Sequence, residues 1–326
     1  MQYMASSIGQ TTRNKYETCI AKYINFCASM NLIAFPIHEH NMVLFVTHLG
    51  ALYSYCTIKI YTAAIKYSAY LHGFMTRFDE FKQLHMVLQG IKRTQGKKIL
   101  KPKRDPITPQ ILSLIKANLF NSSRCYTDKC MIWAAMLVAF FGFLRVSEFT
   151  STHVKSYHPL TTLCVEDVRW VKNKSNEIIR ALINIKASKT DPFRTGVTVR
   201  LSPNKTILCP VSALAHFINM HPRGRGPLFT FQDGRYFTRK DINNILSKVV
   251  GSHSGKYTSH SFRIGAATTA AAAGYPRWLI QALGRWASNC YQRYIRISDA
   301  TIDAVSHSLI TKYPSARPFD PDNITV

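Results

Sequence analysis

The sequence predicts a mostly helical protein with one small antiparallel β-sheet, folded as two domains. Three observations predict this. Apolar residues recur at helical spacing through the first ninety positions. Three short β-rich segments stand together between residues 161 and 202, with helical patterns on either side. A basic run at residues 91–104 breaks the composition between the two parts, and 326 residues suit about two domains.

The first helices follow from spacing. Tyr16, Ile20, Tyr23, Cys27 and Met30 recur at steps of four and three, the stripe of an amphipathic helix. Residues 41–53 and 57–74 continue the pattern, and Phe81, Leu84, Leu88 and Ile91 give a fourth stripe. Gly50 and Gly73 fall near expected helix ends. Residues 91–104 then carry seven Lys/Arg and no acid, and read as an interdomain linker. The expected bounds are a helical domain over 1–92, a basic linker over 93–106, a second domain over 107–312 and a tail over 313–326.

The second domain opens on Thr108 as N-cap and Pro109 as first helical residue. Residues 131–144 are apolar all round, which marks a central buried helix. "TTLCVEDVRWV", "IIRALINIKAS" and "GVTVRLS" are the strand segments, with "SKTDPFRTG" turning between the last two. Helices are expected again over 210–220, 239–249 (capped by Thr238), 260–273, 276–287, 289–297 and 300–309. Gly274 reads as the C-cap that ends the alanine-rich stretch "AATTAAAAG".

Composition narrows the function. Lys and Arg total 42 against 17 Asp and Glu, a net charge of +25, so a polyanion is the expected partner, nucleic acid before membrane. The longest uncharged apolar run, residues 131–144, has 14 residues, too short to span a bilayer. No apolar signal segment opens the chain, and the eight cysteines contain no C-x-x-C pair. Neither a zinc site nor a disulfide framework is indicated, and a reducing intracellular location is expected.

Four separated stretches place polar residues at the ends of apolar elements. "FFGFLRVSEF" ends an apolar helix on Arg145 with Glu148 three residues on. "KASKTDPF" puts Lys189 on a hairpin tip. "SHSFRIGAA" opens a helix with His260 and Arg263 at i and i+3, beside backbone N–H groups that favour an anion. "LGRWASNCYQRYIR" carries Trp286, Tyr291 and Tyr294 among arginines and no acid. Singly, each has an ordinary reading: a structural ion pair, an exposed lysine, a weak H-x-x-R match, core aromatics.

Together, over about residues 105–310, the order R…K…H-x-x-R…W…Y resembles the tyrosine recombinase (phage integrase) family. "GRW…YQRYI" is similar to its eukaryotic mobile-element branch, such as Cryptons and DIRS-like or Ngaro-like retroelements. The resemblance implies a helical DNA-clamping N-terminal domain and an α+β catalytic domain. It implies Arg145, Lys189, His260, Arg263 and Trp286 around a scissile phosphate, with Tyr294 as nucleophile and Glu148 orienting Arg145 or the lysine hairpin. In better-known members the His/Trp position precedes the nucleophile by nine residues. Here Trp286 precedes Tyr294 by eight and Tyr291 by five, so Tyr291 stays open as the fallback.

The chemistry suits those residue types. A phenol near pKa 10 needs a base, which His260 offers. Forked guanidinium donors suit the non-bridging phosphate oxygens. By resemblance, Lys189 protonates the departing 5′ oxygen, and the product is a 3′-phosphotyrosyl link resolved through a Holliday junction. No metal or cofactor is implied. The expected partner is double-stranded DNA, with four protomers on two sites and a monomer without DNA, the 300–309 helix docking on a neighbour. A eukaryotic host would place the protein in the nucleus. Lys59, Lys66, Lys92, Arg93, Lys97, Lys98, Lys101, Lys103 and Arg104 are the expected phosphate contacts. Three other readings stay open: a type IB topoisomerase-like activity, a domesticated DNA-binding protein that no longer cuts, and a metal-dependent nuclease or transposase. The last needs clustered carboxylates, and the adjacent pair Glu166–Asp167 sits in a predicted strand and turn.

Overall fold

The computed structural model describes residues 2–96, 103–188, 191, 193–222, 224–250, 256–297 and 302–304. The chain divides into two compact units, residues 1–102 and 103–326.

The first unit is helical: α1 (Gln2–Ala5), α2 (Gln10–Ser29), α3 (Glu39–Leu52), α4 (Tyr55–Leu71) and α5 (Lys82–Gln95). α2 packs on α4 and α3 on α5. The stripe predicted from spacing buries Tyr23 and Cys27 against Phe45, Leu49, Ile58 and Ile65, with the Tyr23 and Phe45 rings edge-on at 5.2 Å. One expectation is corrected: the basic run does not begin in a linker. α5 continues through Lys92 and Arg93 because Gln95 is tied down. Its Nε2 donates to the carbonyls of Gly50 (3.1 Å) and Tyr53 (2.9 Å), and its Oε1 accepts from the Tyr55 amide at 2.7 Å. That side chain closes α3, starts α4 and anchors the last turn of α5. Lys97, Lys98 and Lys101 lie outside the described residues.

The second unit wraps α7 (Tyr126–Phe141), whose residues from Cys130 to Phe140 are all buried. α6 (Pro109–Phe120) starts under the Thr108 hydroxyl, which accepts from the Ile111 amide. α8 (Val146–Phe149) is a single turn. The sheet has the order β1 (Val168–Lys172), β2 (Ile178–Ile185), β3 (Val197–Leu201), antiparallel throughout, with Val168 opposite Ile183 and Ala181 opposite Leu201. Ala181, Ile183 and Ile185 face the core on alternate positions. The fold class is thus the one the sequence predicts.

α9 (Pro210–Met220) and α10 (Arg239–Val249) match their predicted bounds, and Thr238 and Asp241 cap α10 reciprocally. α11 (Ser261–Ala272) starts with His260 in the cap position. Two predicted helices come out differently. α12 (Arg277–Leu283) stops at Gly284 instead of Ala287, because the chain turns left-handed at Arg285. Residues 289–294 form a 3₁₀ turn, not an α-helix to Ile297. The Thr268 hydroxyl donates to the Tyr294 carbonyl and accepts the Arg296 amide, which holds the chain out of a continuing helix. Of the predicted 300–309 helix only 302–304 is among the described residues. No described helix is long and apolar enough to cross a membrane.

Candidate active site

The site is assembled from helix ends. α7 closes with the Leu144 amide on the Ala139 carbonyl (2.9 Å) and the Phe143 amide on Phe140 (3.1 Å). α12 closes in the same way, Trp286 to Gln281 (3.1 Å) and Arg285 to Ala282 (2.9 Å). These are paired C-terminal bonds around a left-handed residue, here Phe143 (φ 50°) and Arg285 (φ 53°). Each end leaves backbone carbonyls that need donors in a buried setting.

Arg263 supplies them. It projects from the first turn of α11, is fully buried, and donates through its two Nη groups to the carbonyls of Phe143 and Gly284. Arg285 donates to the same Phe143 carbonyl at 3.2 Å. Burial, with the charges of Arg145 and Arg285 nearby, draws Arg263 down to about 10, so it stays charged near neutral pH. Glu148 compensates: it is buried at 2 % exposure and binds two guanidiniums. Its Oε1 accepts from Arg145 Nη1 (3.0 Å), and its Oε2 accepts from the Arg145 amide (2.9 Å) and Arg285 Nη2 (2.7 Å). Among the described residues, three arginines meet one carboxylate here, a setting that attracts an anion.

The aromatic residues close over this cluster. The Trp286 ring lies 4.3 Å from the Arg263 guanidinium and 4.8 Å from the Tyr294 ring. Tyr294, half-buried, also meets the His260 ring at 5.1 Å and the Arg263 guanidinium at 5.8 Å. Trp286 fits because residue 284 is glycine: a Cβ there would stand 1.7 Å from the indole ring. Gln281 clamps the tryptophan from behind, its amide donating to the Trp286 carbonyl at 3.0 Å. Three buried donors at this spot, Trp286 Nε1, Arg263 Nε and Arg285 Nε, have no acceptor among the described residues.

His260 is held low, to about 4, by burial first and then by the charges of Arg104, Arg263, Arg239 and Arg145. It is therefore neutral near pH 7 and able to accept a proton. Its approach is fixed by the Asn243 Oδ1, which accepts the preceding Ser259 amide at 2.8 Å.

The structure thus brings Arg145, Glu148, His260, Arg263, Trp286 and Tyr294 together. Tyr291 shares the face of the 3₁₀ turn with Tyr294, but is buried at 3 % exposure with its ring 6.3 Å from Trp286. Lys189 lies outside the described residues; two positions on, Asp191 accepts from the Thr195 and Gly196 amides. Lys59 is exposed on α4, and Lys66 on the same helix lies over the Phe78 ring at 4.9 Å. Lys92 and Arg93 are exposed on α5, and Lys103 and Arg104 are exposed at the start of the second unit. Asp167 is occupied structurally, pairing Lys186 at 2.8 Å and capping the Cys164 amide at 2.8 Å. No group of three or more His, Cys, Asp or Glu among the described residues is placed to hold a metal ion.

Arg285 was not anticipated from the sequence. A signal existed: it lies nine residues before Tyr294, the spacing that Trp286 misses by one.

Against known proteins, no family model and no curated protein matches the chain. Solved structures do. The XerH site-specific recombinase bound to palindromic difH substrate in a post-cleavage complex is 15 % identical at TM-score 0.57, covering 88 % of this chain and 76 % of its own. The Tn1549 transposon integrase with circular intermediate DNA is 16 % identical at TM-score 0.57, covering 93 % and 95 %. A lambda integrase dimer bound to a COC′ core site is 15 % identical at TM-score 0.56, covering 89 % and 73 %. The chain therefore has the fold of these recombinases and integrases.

Proposed function

We infer that this chain is a tyrosine recombinase that cuts and rejoins DNA through a 3′-phosphotyrosyl intermediate, in the service of a mobile element of the eukaryotic type. The observation that carries the reading is the seat of Tyr294, packed on His260 and Trp286 beside the buried Arg263. The neighbours of the same fold, whose structures hold DNA, support it.

In this mechanism neutral His260 takes the phenolic proton as the Tyr294 oxygen attacks phosphorus. The bond from phosphorus to the 5′ oxygen breaks, and Lys189 gives that oxygen its proton. Arg145 and Arg263 offset the charge that grows on the phosphate, and the Trp286 indole N–H donates to it. The phosphodiester energy is kept in the tyrosyl link, so a 5′ hydroxyl from another strand can reverse the step. Two rounds through a Holliday junction exchange both strands, with four protomers on two sites. Lys59, Lys66, Lys92, Arg93, Lys97, Lys98, Lys101, Lys103 and Arg104 hold the flanking phosphates.

A nicked suicide DNA substrate tests the reading. Wild type is expected to accumulate a covalent adduct, and Tyr294→Phe to bind the DNA without forming one. A wild-type protein that binds the substrate and never links to it contradicts the proposed chemistry and supports a DNA-binding protein that no longer cuts.

A further inference from the structure

The end of α12 differs from the end of its neighbour α11. α11 closes with the same pair of bonds, Tyr275 to Ala270 (3.1 Å) and Gly274 to Ala271 (3.0 Å), and its left-handed residue is Gly274 (φ 79°). That is the usual choice, because a Cβ crowds the backbone there. α12 puts an arginine in the equivalent position. Backbone strain kept in a structure points to what the side chain does.

The Arg285 side chain, 13 % exposed, reaches two groups that determine where other arginines sit. Its Nη2 binds Glu148 Oε2 at 2.7 Å, while the other Glu148 oxygen binds Arg145. Fixing one oxygen of a carboxylate fixes its plane, and so the direction of the guanidinium on the other. Arg285 also donates to the Phe143 carbonyl at 3.2 Å and to Gly142 at 3.4 Å. The Phe143 carbonyl is the acceptor of Arg263. One guanidinium thus touches the partner of each of the two other arginines. It also ties the turn bearing Arg145 to the turn bearing Trp286.

We propose that Arg285 is a positioning residue for DNA cleavage, clamping Glu148 and the Phe143 carbonyl so that Arg145 and Arg263 meet the scissile phosphate in one geometry. The role rests on the recombinase reading above. A lysine could supply the charge but not the fork that reaches carboxylate and carbonyl together.

Single-turnover cleavage of the nicked suicide substrate by the full chain tests this. Arg285→Gly removes the clamp and relaxes the backbone, so the variant is expected to melt within a few degrees of wild type. It is expected to bind the DNA normally and to form the tyrosyl adduct about a hundredfold more slowly, the usual effect of misplacing reacting groups by about 1 Å. Guanidinium chloride at low millimolar concentration is expected to restore part of the rate in R285G, and sodium chloride at equal ionic strength to restore none. A clamp that served only the fold would show neither the selective rate loss nor the rescue. If R285G does not fold, R285K carries the test, with an expected loss of at least about tenfold. A wild-type rate in R285G, or in R285K where R285G is unfolded, overturns the role of Arg285. A wild-type protein that forms no adduct overturns the recombinase reading instead, so the two failures are distinguishable.

Discussion

The helical unit of residues 2–96 and the unit that begins at Lys103 bury different chemistry. Among described residues the first buries only Asn41, Thr62 and Ser68 as polar side chains, with no ionisable acid or base of full charge. The second buries Glu148, Asp167 and Arg263. Hiding a charge is costly unless it is paired, and here the partners are backbone carbonyls at two helix ends and a shared carboxylate. The first unit is held by ordinary apolar packing. The second maintains a strained, positively charged corner, which is what stabilising an anion requires.

Substitutions can break that contrast. The largest effect is expected from Arg263→Ala, which removes a cation and leaves the Phe143 and Gly284 carbonyls without donors. Adduct formation should fall about a thousandfold, and urea denaturation should show a loss of about 3 kcal/mol. A rate within tenfold of wild type would mean the buried arginine serves the fold alone. In the first unit, Phe45→Ala should cost a similar 3–4 kcal/mol or so, but equally at pH 5 and pH 7, because burial raises the Tyr23 phenol and the Cys27 thiol of that core and keeps both neutral throughout.

A smaller change sharpens the geometry. Gly284→Ala places a methyl where the indole lies, 1.7 Å from its nearest ring atom. Trp286 must move, at a cost of about 1–3 kcal/mol, and adduct formation should slow while DNA affinity holds. Unchanged tryptophan fluorescence and an unchanged rate would show that Trp286 does not need its present seat.

The pH dependence separates the units further. His260 titrates near 4 in the folded chain against an ordinary value of 6.5. The unfolded chain therefore binds the proton more readily, and stability is lost as pH falls from 6.5 toward 4. His260→Gln should flatten that decline. An NMR titration of His260 with a midpoint at 6.5 or above would contradict the arginine-rich, buried setting described for it. Smallest of all is the effect of replacing Lys92 and Arg93 with glutamine. The slope of log affinity for DNA against log salt should become shallower by about 0.9 for each phosphate that is no longer neutralised, with cleavage by bound protein unaltered.

How far the sequence revealed this differs between the units for the same reason. The stripe from Tyr16 to Met30 was enough for a helix, because apolar burial is periodic and periodicity is visible. Arg145 and Glu148 could be paired from their spacing at the end of an apolar helix. Arg285 could not be paired in this way: its distance from Tyr294 is visible in the sequence, but its contacts depend on a left-handed turn, and nothing in helical periodicity announces where α12 stops. The shortened α12 and the 3₁₀ turn at 289–294 have the same origin. The left-handed Arg285 ends the helix, and the Thr268 hydroxyl, far back in the chain, sets the turn through Tyr294 and Arg296; neither follows from periodicity. The extension of α5 to Gln95 was hidden because a basic run reads as linker until the contacts of one glutamine are known.

The central claim is that Tyr294, not its neighbour on the same turn, is the group that attacks phosphorus. Wild-type protein trapped on the suicide substrate, digested and mapped by mass spectrometry, tests it directly. The account predicts the nucleotide adduct on the phenol of Tyr294. An adduct on Tyr291, or on any other residue, would contradict it.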